Sequence, residues 1–218
     1  MLEPYPEQEG SYAHADAGPA TCHPYLLPVV LRELRLSFPS PGTKRDVFDL
    51  GCGSGFVANE LHRAGFDVTG VDPSSSGMKL ARARYPHLRL HPGSGSDDLS
   101  QTFGQFSAVI SLEVIEHVYA PRAFARNLRR LMRPGGAAIV STPYHGYWKN
   151  LAIAISGATD RHLDPLWDGG HIKFWSIDTL TRLFSEAGLA VKRVHRVGRI
   201  PVLAKSMIFV LERPAHLS

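Results

Sequence analysis

The chain has 218 residues, enough for one well-buried α/β core and too few for two full domains. An apolar share of 44% and a charged share of 20% are those of an ordinary globular protein, and no apolar run approaches the roughly 20 residues that a membrane-spanning helix needs. Much of the net charge of +4 comes from scattered late residues (Lys192, Arg193, Arg196, Arg199, Lys205 and Arg213) that are not interleaved with aromatics, so a solvated basic sheet edge is expected and a nucleic-acid partner is not.

Residues 1–10 have neither a basic nor an apolar segment, so no secretory leader is expected there. Residues 1–22, rich in Gly, Ala, Pro and polar groups, read as a mobile arm. A helix is predicted over 25–36, with Leu26, Val29, Val30 and Leu34 on one face, stopped by Pro39, Pro41 and Gly42. From Asp46 onward strand and helix alternate. Strands are predicted at 47–50, 68–71, 88–91, 108–111, 137–141, 190–196 and 207–211. Helices are predicted at 56–64, 77–84, 122–132 and, capped by Ser176, up to Ala187.

This alternation implies an α/β fold: a Rossmann-like, seven-stranded, mostly parallel sheet with helices on both faces. The last two strands are joined too closely for a helical crossover, so one of them runs antiparallel. No repeat or linker divides the chain, and a single domain over 1–218 is expected. Residues 142–174 break the rhythm. They are rich in aromatics, His and Gly and too long for an ordinary connection, which favours a lid-like insertion. Tyr144, His145, Tyr147, Trp148, Trp167 and His171 there suit either a pocket for a flat, partly apolar acceptor or the docking of a surface helix at 151–155. His23 and Tyr25 stand where they would close such a pocket.

Asp49-Leu50-Gly51-Cys52-Gly53-Ser54-Gly55 carries the strongest chemical signal. Alternating glycines after a buried strand permit a sharp turn and let a ligand touch the main chain. The third glycine comes two residues after the second, so the spacing is not that of the NAD-binding fingerprint. Cys52 lies inside this turn, where a crosslink would obstruct a ligand. With Cys22 as the only other cysteine, reduced thiols and a cytoplasmic location are expected. Asp72 closes the next strand, followed by Pro73, and a carboxylate there can accept two ribose hydroxyls.

Together these residues resemble the class I S-adenosylmethionine-dependent methyltransferases, and Pro134-Gly135-Gly136 before the fifth strand matches them as well. The resemblance implies S-adenosyl-L-methionine as cofactor, held by Asp49, Gly51, Cys52, Gly53, Gly55, Asp72 and Pro73. Asp49 would face the methionine ammonium. Ser94 stands where the family usually places an acidic residue against the adenine amine, with Asp97 close by, and Ser111 at the end of the fourth strand completes the set.

Glu113-Val114-Ile115-Glu116-His117 follows that strand, and three- and four-residue spacings would put its three ionisable groups on one face of a helical turn. The E-x-x-E-H pattern resembles the O-methyltransferases of ubiquinone biosynthesis and the 2′-O-methyltransferases of small-RNA ends, which hold a divalent metal through such a group. His117 is then the expected general base, oriented by Glu116 or Glu113. His171, in a turn that resembles the Gly-Thr-His turn of the ubiquinone enzymes, would bring a second imidazole. A divalent metal would sit at Glu113, Glu116 and His117, although none is expected. The leading expectation is methyl transfer to a hydroxyl of a small-molecule acceptor. N-methylation of a small amine or heterocycle, RNA-end 2′-O-methylation and a non-catalytic nucleotide-binding module stand as alternatives.

Overall fold

The computed structural model of the chain describes residues 18–38, 44–163, 166 and 170–215. Most of the expected arm, the helix stop at Pro39, Pro41 and Gly42, and the turn at 167–169 lie outside the described residues.

Seven strands form one sheet: β1 (Asp46–Leu50), β2 (Asp67–Asp72), β3 (Arg89–Pro92), β4 (Phe106–Leu112), β5 (Met132–Pro143), β6 (Ala190–Val197) and β7 (Ser206–Glu212). Their order is β3-β2-β1-β4-β5-β7-β6. β7 alone runs antiparallel, against both β5 and β6, as the short link between the last two strands requires. The helices are α1 (His23–Ser37), α2 (Phe56–Arg63), α3 (Ser75–Arg84), α4 (Leu99–Phe103), α5 (Pro121–Leu131), α6 (Tyr147–Ile155), α7 (Thr159–His162) and α8 (Ile177–Glu186).

Pleating divides the core in two. Phe48, Leu50, Phe124, Leu128, Phe184 and Phe209 bury one face under α5 and α8. Val47, Leu61, Met78, Leu26, Val30 and Leu34 bury the other under α2, α3 and α1. All five residues of β1 are buried, as befits a central parallel strand covered on both faces. Two of the five are aspartates. Asp46 is matched by Arg133, whose guanidinium reaches both carboxylate oxygens at 3.1 and 2.7 Å, and by the Ser107 amide. Asp49 has no such structural partner, and it lies on the central strand next to the point where strand order reverses.

Glu33 is 1% exposed and fastens α1 to β6 through Arg193 at 2.7 Å and His195 at 3.1 Å. Burial pushes its carboxyl pKa upward, but hydrogen bonds from Arg193 and Arg32 outweigh burial and hold it below the ordinary range. This anchor brings Cys22, His23 and Tyr25 toward the carboxyl ends of the strands.

One expected boundary shifts, and further elements join those read from the sequence. β5 begins five residues before 137, because Met132 pairs with Phe106 across a register shift and Gly135, at φ +76°, donates its amide to the Arg213 carbonyl. α4 carries too few periodic apolar residues to be visible in sequence; only Leu99 is buried. Within 142–174 the described residues form α6 and α7, and α6 buries none of its side chains. Among the described residues, no helix is long and apolar enough to cross a membrane.

Candidate active site

The glycine turn is built around positive φ. Gly51, Gly53 and Gly55 stand at +91°, +51° and +81°, a region L side chains rarely enter. Gly51 is constrained twice, since a Cβ there would fall 2.4 Å from the Val114 Cγ2 atom. The turn therefore lies directly against the loop that follows β4. Gly51 and Cys52 both donate their amides to the Val71 carbonyl at 2.9 Å, which fixes the turn on β2. Cys52 contributes main chain only, because its side chain is buried against Gly70 and burial raises its thiol pKa well above the ordinary value.

Asp72 accepts hydrogen bonds from the Gly53 amide on one oxygen and the Ser74 amide on the other, both at 2.8 Å. These bonds fix the carboxylate plane at the rim. Pro73 is exposed beside it. Asp49 is 2% exposed, and among the described residues its Oδ2 has no hydrogen-bond partner. Burial, and after it the Asp72 charge, raises its carboxyl pKa to about 8. An orphaned buried carboxylate beside a glycine cradle fits a cationic ligand, which would supply the missing partner.

Ser94 and Asp97 form their own turn, the Ser94 amide donating to the Asp97 carboxylate at 2.9 Å. Asn127 of α5 holds this loop through the Gly95 carbonyl at 2.9 Å. Ser111 is fully buried and donates to the Leu50 carbonyl at 2.7 Å, so its hydroxyl ties β4 to β1.

The three ionisable residues after β4 do not share a face of one helical turn. Glu113 has φ +55°, the only positive φ outside glycine among the described residues, and a short 3-10 turn spans only Ile115–His117. The kink turns Glu113 toward β5 and β7, where it accepts hydrogen bonds from Ser141 at 2.8 Å and Ser206 at 3.1 Å. Tyr25 of α1 lies 3.4 Å from the same Ser206 hydroxyl, which extends the chain to the N-terminal helix. Burial raises the Glu113 pKa to about 7 against those hydrogen bonds. Glu116 is 1% exposed. It accepts from Thr142 at 3.0 Å, and its other oxygen has no hydrogen-bond partner among the described residues. Burial first, then the Glu113 charge, raises its pKa well above the ordinary range.

His117 places Nδ1 3.1 Å from the Gly170 carbonyl, which can only accept. That contact directs an Nδ1 proton at the carbonyl and orients the imidazole. The His117 and His171 rings meet edge to face at 5.0 Å. Burial, and then the neighbouring His117, His145 and Lys149, lowers the His171 pKa to about 4. Ile172 and Lys173 donate their amides to the Glu116 carbonyl, both at 2.9 Å, pinning this strip to the 3-10 turn.

The cluster with metal-ligand spacing also differs from expectation. Ligand atoms of Glu116, His117 and His171 lie within 4.8 Å of one another, so His171 takes the place expected of Glu113. Ser141 and Ser206 were not visible as site residues in sequence. They converge only because β7 pairs antiparallel with the end of β5.

A doubly wound sheet, a glycine cradle with an orphaned carboxylate, and a second carboxylate at the rim define the class: this is an S-adenosylmethionine-dependent methyltransferase of class I. The chain belongs to the methyltransferase domain family, which matches residues 25–194. It is 32% identical over 179 residues to a ubiquinone biosynthesis O-methyltransferase of Dinoroseobacter shibae, covering 80% of this chain and 67% of that protein. It is also 32% identical to the protein of the same name from Cereibacter sphaeroides, covering 80% and 68%. It spans 58% of a further relative of that name from Caulobacter. Among solved structures the fold is similar to magnesium protoporphyrin IX methyltransferase from Synechocystis, with TM-score 0.65 and 20% identity, covering 86% of this chain and 81% of that one.

Proposed function

We propose that this chain moves a methyl group from S-adenosylmethionine to a hydroxyl of a small aromatic acceptor, with His117 as general base. The observation that carries this reading is the His117 Nδ1 contact with the Gly170 carbonyl, which orients the imidazole for general-base work at Nε2. The names of the relatives agree with an acceptor hydroxyl.

Asp49 would pair with the amino acid end of the cofactor, Asp72 would accept the ribose hydroxyls, and the 94–97 loop would border the adenine. When bound, S-adenosylmethionine supplies a methyl group already activated on its sulfonium, so the protein's task is alignment and proton removal. His117 would accept the hydroxyl proton on Nε2, and the bound cofactor would supply the methyl group and depart as S-adenosylhomocysteine. Glu116, buried beside His117, would help to position the imidazole. His171, its pKa lowered to about 4, remains neutral near pH 7 and would accept or donate a hydrogen bond at the acceptor.

In this reading residues 142–174 form a lid over the acceptor, in one domain with the rest of the chain. Tyr144 and the His145–Phe174 ring pair, 5.1 Å apart, would supply flat walls. The two unbridged thiols suit a reducing compartment such as the cytoplasm. The test is His117→Ala. S-adenosylhomocysteine affinity should persist, while turnover on a catechol acceptor falls about 100-fold or more. Unchanged turnover would remove His117 from the chemistry.

A further inference from the structure

A second concavity lies where α4 meets the carboxyl end of α5 and the residue following β7. Asp98, Ser100, Gln101, Gln105, Arg129, Arg130 and Arg213 line a cavity of about 260 Å³ there. None of these residues belongs to the cofactor or acceptor sites described above.

Two of its three guanidinium groups have evident structural work. Arg130 bridges to Asp98 at 3.1 Å and so fastens α4 to α5. Arg213 donates Nη1 to the Arg129 and Met132 carbonyls at 3.3 and 2.6 Å, satisfying the end of α5. Arg129 has neither role. Its Nε is buried without a hydrogen-bond partner among the described residues, and no carboxylate pairs with Arg129 or Arg213 there. Burial, and after it the Arg129 charge, lowers the Arg213 pKa, so the two guanidinium groups repel each other across the cavity. Asp98 is the single acidic lining residue, and it is already committed to Arg130.

We infer that this cavity binds a small phosphoryl-bearing anion, held by Arg129 and Arg213 with Gln101 and Gln105 supplying neutral donors. Guanidinium forks match tetrahedral oxyanions, and such a ligand would offset the positive charge that Arg129 and Arg213 bring to the same wall. The volume equals that of about nine waters at ~30 Å³ each, so it admits a diphosphate or a phosphorylated metabolite. The distinctness of the lining residues makes this a second site, not an extension of the cofactor pocket.

The test is a thermal-shift titration with inorganic pyrophosphate on protein saturated with S-adenosylhomocysteine, with sodium chloride of equal ionic strength as reference. Pyrophosphate should raise Tm saturably above the salt reference. Arg129→Gln should weaken the apparent affinity at least about tenfold, as loss of a charge-assisted contact does, with S-adenosylhomocysteine binding unchanged. Should Arg129→Gln fail to fold, Gln101→Glu places a carboxylate in the cavity wall and should abolish the pyrophosphate response in folded protein. A response equal to sodium chloride, a response retained in both variants, or stabilisation by citrate without stabilisation by pyrophosphate would each overturn the proposal.

Discussion

Replacing Asp49 with Asn should make the ligand-free protein more stable and its cofactor binding weaker, two effects of opposite sign from one atom. Burial, and then Asp72, raises the Asp49 pKa from 3.8 to about 8. A carboxyl whose folded pKa lies above its unfolded value binds more protons when folded, so stability is full below 3.8 and is lost as pH rises toward 8. At pH 7 the loss accumulated since 3.8 is at most about 4 kcal/mol, at ~1.4 kcal/mol per pH unit. Relaxation and entering water reduce that bound, and a gain of about 1 kcal/mol or more is expected for the amide. A chain of this length should then melt about 2–4 °C higher for each kcal/mol gained. The amide cannot neutralise a ligand ammonium, and losing a charged hydrogen bond of about 1.5–3 kcal/mol weakens binding by about 10- to 150-fold. Calorimetric titration with S-adenosylhomocysteine and a melting curve, run on both proteins at pH 7 and pH 8, measure both quantities. A lower Tm with unchanged affinity would refute the assignment of Asp49 as the cation partner.

Other substitutions test separate parts of the site. Gly51→Ala puts a Cβ into Val114 at a φ of +91°, so S-adenosylhomocysteine affinity should fall about tenfold or more and stability by about 1–3 kcal/mol, read by calorimetry and denaturant titration. The His171 pKa is lowered from 6.5 to about 4, so the unfolded chain binds more protons in that window and stability falls as pH drops through it. His171→Asn should flatten the Tm against pH curve between those values; an unaltered curve would contradict the burial argument. Ser206→Ala removes one donor to Glu113 and the link to Tyr25, so KM for the acceptor should rise about 3- to 10-fold with S-adenosylhomocysteine affinity unchanged.

The strand–helix rhythm was legible because central parallel strands read as short apolar runs and helices as periodic ones, and the antiparallel strand followed from the link before it. Asp49, Asp72 and the glycine turn were legible for a similar reason: they lie within a few residues of strand ends, so local spacing implies their proximity. Glu113 was misplaced because helical spacing gave no warning of a positive φ, and that kink is compatible with the waiting hydroxyls of Ser141 and Ser206. Those serines, Thr142 and Tyr25 come from elements far apart in sequence, and only the register of β7 on β5 and the Glu33 anchor of α1 bring them together. Ser111 adds a contact that local spacing did not show. Its position at a strand end suggested a ligand, and the Leu50 carbonyl holds its hydroxyl.

The decisive measurement follows an isotopically labelled methyl group from S-adenosylmethionine onto a panel of catechols by mass spectrometry, comparing the native protein with His117→Ala. Methyl transfer to oxygen by the native protein, slowed about 100-fold or more in the variant at equal S-adenosylhomocysteine affinity, is the predicted outcome. Label appearing on oxygen at the same rate in both proteins, or only on nitrogen of amine acceptors, would contradict the account.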